Sequence, residues 1–157
     1  MRQLLRETAE PAKIQREGRR LFLSGVMMKF GEKNLNNRVY TESACDSACQ
    51  ALQRKIKSGN CFSCLGHGES TVVQPDKICA VVKSLTKKGN SYVGVSECIS
   101  EGMGRVLRSI INAGGNLGHS TRSTATVVKN AEGVDEIQND LCVYSRLRRE
   151  CWLELAA

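Results

Sequence analysis

The segment KICAVVKSLTKKGNSYVGVSECI, from Lys77 to Ile99, constrains the fold more than any other. Two β-rich runs flank Gly89-Asn90, and such a pair favours the tight turn of a hairpin. A chain that carries this segment builds at least one antiparallel ladder. More β-rich runs surround it. RLFLSGVMMKF, Arg20 to Phe30, is apolar on both faces and reads as a buried strand. CFSCL, from Cys61, opens as a short strand and gives way to a polar loop after Leu65. NLGHSTRSTATVV, Asn116 to Val128, reads as a further strand; NAEG, 130–133, is a turn, and 134–155 reads as one or two closing strands.

Two helices interrupt the strands. Ala44, Ala48, Leu52 and Ile56 recur every fourth residue, which lays one apolar stripe along a helix over 41–58. Thr41 or Ser43 can cap its start and Gly59 can end it. In SEGMGRVLRSIINAGG, Ser100 is a plausible cap, Val106, Leu107, Ile110 and Ile111 form the apolar face, and Gly114-Gly115 stop the helix. Antiparallel strands with two interspersed helices predict an α+β fold, with a mostly antiparallel β-barrel or strongly curved sheet flanked by the helices. Residues 1–19 are charged and contain Pro11; they read as a mobile leader, with 20–157 as a single domain.

Composition excludes some classes. Hydrophobic residues make up 41% of the chain, so it is globular rather than disordered. No apolar run approaches the roughly 18 residues of a membrane span, and the N-terminus has no signal-peptide core. The chain is expected to stay in the cytosol, with its eight cysteines as reduced thiols. The net charge of +7 suits an acidic partner or a nucleic acid, but aromatics at 4% leave little for bases to stack on.

Only two histidines exist, His67 and His119. A serine nucleophile needs a base. Along a strand, Ser120 and Arg122 share one face while His119 and Thr121 share the other. His67, in a loop between Gly66 and Gly68, is therefore the better partner for Ser120. The residues alone leave other readings open. Ser120 can be a plain strand hydroxyl and His67 a plain loop imidazole. Cys61, Cys64 and His67 also stand at C-x2-C-x2-H, a zinc-ligand spacing that Cys45, Cys49 or Cys79 could complete. That arrangement would define a zinc- or nucleic-acid-binding module.

Taken in order, the motifs resemble those of the prohead maturation proteases of tailed bacteriophages, serine proteases related in fold to herpesvirus assemblin. The resemblance covers roughly residues 20–128. FLSGVMMKFGEKNLNNRVY is similar to the family's early strand and its Asn-rich Arg-x-Tyr segment, here Asn37, Arg38 and Tyr40. CLGH resembles the segment that ends in the catalytic histidine, which puts that role on His67. YVGVSECI is similar to a Gly-containing family strand. GMGRVLRSIINAGGNLGHSTRS resembles the helix, glycine turn and nucleophile segment, which puts the nucleophile on Ser120. The chain departs from the pattern at Gly68 (usually Pro), Thr121 (Ser), Ser123 (Gly) and Ala125-Thr126 (Gly-Ser). Where the family places an Asp, Arg148 stands, with Glu150 two residues on.

The resemblance implies an assemblin-like serine endopeptidase with no metal or cofactor. Ser120 would attack, His67 would act as base, and Glu150, or failing it Asp140 or Asp135, would orient the imidazole. If no acid serves, a dyad remains. Arg122 and Thr121 would support the oxyanion. The implied substrates and partners are phage scaffold or core proteins and the major capsid protein, inside the assembling prohead in the host cytoplasm. The resemblance leaves room for a homo-oligomer and implies neither membrane nor specific nucleic acid. Family cleavage after Glu in a Leu/Ile-x-Glu context fits Leu5-Arg6-Glu7 as a self-processing site. The departures leave one alternative, a catalytically degenerate core or scaffold component.

Overall fold

The hairpin around Gly89-Asn90 forms as its sequence predicts in the computed structural model, which describes residues 1–6, 10–66 and 73–148. In chain order the strands and helices are β1 (Arg2–Arg6), β2 (Glu10–Pro11), β3 (Lys13–Glu17), β4 (Arg20–Lys29), β5 (Arg38–Tyr40), α1 (Glu42–Lys57), β6 (Phe62–Leu65), β7 (Ile78–Lys88), β8 (Ser91–Cys98), α2 (Met103–Asn112), β9 (Gly118–Lys129), β10 (Asp135–Ile137) and β11 (Cys142–Arg148). The strands make one sheet in the order β3-β4-β8-β7-β6-β11-β9-β10-β5, and β1 and β2 also pair with β9. The β6/β11 and β5/β10 pairs are parallel; the other pairs are antiparallel. The α+β expectation holds. The barrel does not, because β3 and β5 end the hydrogen-bonded order without pairing with each other.

Residues 1–19, expected as a mobile leader, instead supply β1, β2 and β3. Leu5 is 0% exposed and Ala12 is buried. A strand needs to bury only alternate residues, so its charged neighbours hide it in the sequence.

The helices divide the core in two. On α1, Ala44, Cys45, Ala48 and Leu52 pack with Leu5, Met27, Val82, Leu85, Tyr92, Ala125 and Val143. The Thr41 hydroxyl accepts from the Ala44 N–H at 3.1 Å and caps the helix, as the sequence suggests. On α2, Leu107 and Ile111 pack with Leu21, Leu23, Cys79, Leu117 and Leu147. This helix begins after Gly102 rather than at Ser100, and Val106 is exposed. The sheet runs through both clusters: the chain meets the α2 cluster at Leu117, just before β9, and the α1 cluster at Ala125 within it. Among the described residues no helix is long and apolar enough to cross a membrane.

Candidate active site

Strand β9 carries the candidate nucleophile in its most enclosed part, for Gly118 to Ser123 are all buried. Along one edge β9 pairs with β11: Ser120 stands opposite Arg146, Arg122 opposite Tyr144, His119 opposite Leu147 and Thr121 opposite Ser145. Residues directly opposite in an antiparallel pair share a face, as do residues two apart on one strand. Ser120, Arg122 and Arg146 therefore lie together on one face, at 2%, 0% and 4% exposure. Sequence reading finds Arg122 by counting along the strand. It misses Arg146, which reaches Ser120 only through the cross-strand register.

The other face has a different character. His119 is 1% exposed, and its Nε2 lies 3.1 Å from the Leu23 carbonyl oxygen on β4. A carbonyl only accepts, so Nε2 carries the proton and donates. Nδ1 is then a bare lone pair, buried and without a hydrogen-bond partner among the described residues. Burial lowers the pKa of His119, and the bond to Leu23 opposes that only in part. His119 is a neutral strap between β9 and β4 and faces away from the hydroxyl of Ser120. Thr121 lies on the His119 face, in the row of the Ser63–Ser145 hydroxyl pair (2.7 Å). Its side chain cannot serve Ser120, which leaves its backbone N–H as the group that could support an oxyanion.

His67 and Glu150 lie outside the described residues, but the approach to His67 is defined. Gly66 takes a left-handed φ of 78°, a conformation that suits glycine. Its N–H donates to the Leu147 carbonyl at 2.8 Å. The chain thus leaves β6 tied to β11, the neighbour of β9, and β6 itself is about 10 Å from β9 at ordinary strand spacing.

The fallback acids are engaged elsewhere. Asp140 accepts from the Thr126 N–H (2.8 Å) and hydroxyl (2.7 Å), which hold its carboxyl below the usual range, the backbone bond most strongly. Thr126 is six residues along β9 from Ser120, about 20 Å away. Asp135 pairs with Lys129 at 2.9 Å, further still. Both carboxylates are thus engaged well away from Ser120 along β9.

The zinc arrangement also loses its geometry. Cys61 packs into the α1 cluster, and burial pushes its thiol pKa up. Cys64 instead sits close enough to Cys79 to influence that thiol's ionisation. The two cysteines point into different surroundings, as residues three apart on extended chain do. Among the described residues no group of ligands could hold a metal ion.

A cavity of about 330 Å³ abuts the site, between Val26 to Lys29 of β4, residues 32–36, Tyr40, Val143 and the start of β9. It touches three consecutive residues of β9, His119, Ser120 and Thr121. Consecutive side chains alternate in direction, and Val143, opposite Ser123, shares the face of His119 and Thr121, so the cavity lies against that face and meets Ser120 at the strand's backbone. On the far edge of β9, β1 pairs as far as Arg122 and β2 resumes at His119.

An enclosed serine beside two buried arginines, on a strand bordering a peptide-sized cavity, suits acyl transfer. The chain belongs to the family of prohead core protein serine proteases, whose sequence pattern matches residues 4–145. Among solved structures, the bacteriophage T4 capsid assembly protease is similar, with a TM-score of 0.85 and 20% identity over 94% of this chain and 98% of that one. At that identity the likeness shows a shared fold. No curated protein matches the chain in sequence.

Proposed function

We propose that the protein is a serine endopeptidase that cleaves scaffold or core and capsid proteins as a phage prohead matures. The observation that carries this reading is the grouping of Ser120, Arg122 and Arg146 on one buried face of adjacent strands. Ser120 Oγ attacks the peptide carbonyl, and His67 takes its proton and returns it to the leaving amine. Negative charge then develops on the carbonyl oxygen. Two buried guanidiniums beside Ser120 favour that charge, as does the Thr121 N–H, and a donor so placed is worth about 10²–10³ in rate. Glu150 orients the imidazole. Without it a weaker dyad remains.

The cavity suggests what is cut. Val26, Met27, Met28, Tyr40 and Val143 give it apolar walls, and Lys29 and Lys33 outnumber the one carboxylate, Glu32, in its lining. A peptide with one apolar and one acidic side chain near the scissile bond fits such a lining. Leu5-Arg6-Glu7 has this composition, and β1 already runs antiparallel to β9 with Arg6 opposite Arg122; Glu7 lies outside the described residues. Leu5 is part of the α1 cluster, so self-processing there requires β1 to leave the sheet first. The protein acts in the assembling prohead, in the host cytoplasm, with core and capsid proteins as partners.

Cleavage of a prohead core protein tests the reading. Ser120→Ala and His67→Ala should each abolish cleavage, and Arg146→Gln should slow it by about 10²–10³. Cleavage that persists in folded Ser120→Ala protein would remove the serine from the mechanism.

A further inference from the structure

A second cleft, of about 400 Å³, is built from β4, β7, β8 and the approach to α2, none of which carries Ser120. Arg19, Arg20, Lys83 and Arg108 line it around a single carboxylate, Glu97, with Ser100 beside them. The sheet register explains the grouping. Glu97 stands opposite Phe22 on β4 and Val81 on β7, so Arg20, two residues before Phe22, shares its face. A bulge between Val82 and Ser84 leaves Lys83 as the extra residue of β7, and its ammonium lies 3.6 Å from Glu97.

Two of the guanidiniums are held in place. Arg20 donates to the two Glu97 carboxylate oxygens from Nε and Nη2, at 2.8 and 2.9 Å. Arg108 donates to the carbonyl oxygens of Arg19 (3.1 Å) and Cys98 (3.4 Å). The fork commits Arg20 to Glu97, so an incoming carboxylate meets chiefly Arg19, Lys83 and Arg108. Glu97, with Glu17 of β3 opposite Arg20, sets two negative charges against four positive ones, which still leaves an excess for an incoming anion. A guanidinium already fixed loses little freedom on binding.

We propose that this cleft docks an acidic peptide segment of the core proteins, holding them while the Ser120 site cuts elsewhere along their chains. The proposal rests on the protease reading. An acidic peptide suits the cleft better than a nucleic acid does. The charges form a compact pocket rather than a stripe that could follow a phosphate backbone. Phe22, on the same face, carries the Arg20 guanidinium over its ring at 4.9 Å, which closes that side of the ring to a stacking base.

The test uses the full chain carrying Ser120→Ala, so that nothing is cut, and a short labelled glutamate-rich peptide followed by fluorescence anisotropy. Saturable, salt-sensitive binding is expected. Arg19→Glu with Lys83→Glu should weaken it about tenfold or more, and Arg19→Gln with Lys83→Gln less strongly. In a chain that keeps Ser120, these variants should cut a short neutral peptide at the wild-type rate but an acidic core protein more slowly. Absence of binding, or equal binding by the wild-type surface and both variants, would overturn the docking site. So would tighter binding of a DNA duplex than of the peptide at equal salt. If the peptide binds as expected but the wild-type chain cleaves nothing, the docking site stands and the protease reading fails.

Discussion

Acidification should loosen the molecule through His119, and the size of the effect follows from its surroundings. The imidazole is 1% exposed, donates from Nε2 to Leu23, and has no described acceptor at Nδ1. Charging it would place a proton on a buried nitrogen with nothing to receive it. Its folded pKa is therefore depressed by burial, against about 6.5 in the unfolded chain. A depressed folded value means that the unfolded chain takes up the proton first as pH falls. The stability is fully present above the unfolded value. Below it, stability falls by up to about 1.4 kcal/mol per pH unit, until the folded imidazole also protonates. Urea melts of wild type and His119→Gln at pH 7.5 and 5.0 measure this directly. Glutamine can keep a donor near the Leu23 carbonyl but cannot titrate. The wild type should lose more stability than the variant between the two pH values. Equal losses would refute the claim that His119 is a buried neutral strap.

Three further outcomes follow from the packing. Leu5→Ala should lower the unfolding free energy by about 2–5 kcal/mol, visible in denaturant melts, because Leu5 is fully buried in the α1 cluster; a negligible change would make β1 dispensable. Gly104→Ala should destabilise by about 1–3 kcal/mol, since its methyl would sit 2.1 Å from the Ile99 carbonyl oxygen, and thermal unfolding would register the loss. Asp140→Asn should leave the cleavage rate within a few-fold of wild type, because Asp140 is engaged at Thr126; a loss of several orders of magnitude would make it the catalytic acid.

What was legible in the sequence was local. The Gly89-Asn90 hairpin, the α1 stripe with its Thr41 cap, and the face shared by Ser120 and Arg122 all depend on residues within a few positions of each other. What escaped depends on distant pairing. Arg146 meets Ser120 because of the register that follows the β9–β10 turn, which no count along either strand supplies. The strands within 1–19 escaped because Leu5 and Ala12 sit in short runs crowded by charges, and their burial has meaning only once β9 and the core lie against them. The barrel failed for a related reason: local pattern announces strands but does not say whether the two edges of a sheet meet. Val106 falls outside the buried stripe of α2 because a short helix with four apolar residues permits more than one such stripe, and packing on β7 and β8 selects Leu107 and Ile111.

A fluorophosphonate reagent, which reacts preferentially with an activated serine, gives the most direct measurement when its attachment site is mapped by mass spectrometry. A single adduct on Ser120, lost in His67→Ala and slowed in Arg146→Gln, is the result expected of a nucleophile served by a distant imidazole and cradled by buried guanidiniums. An adduct on another serine, or labelling of Ser120 indifferent to His67, would contradict it.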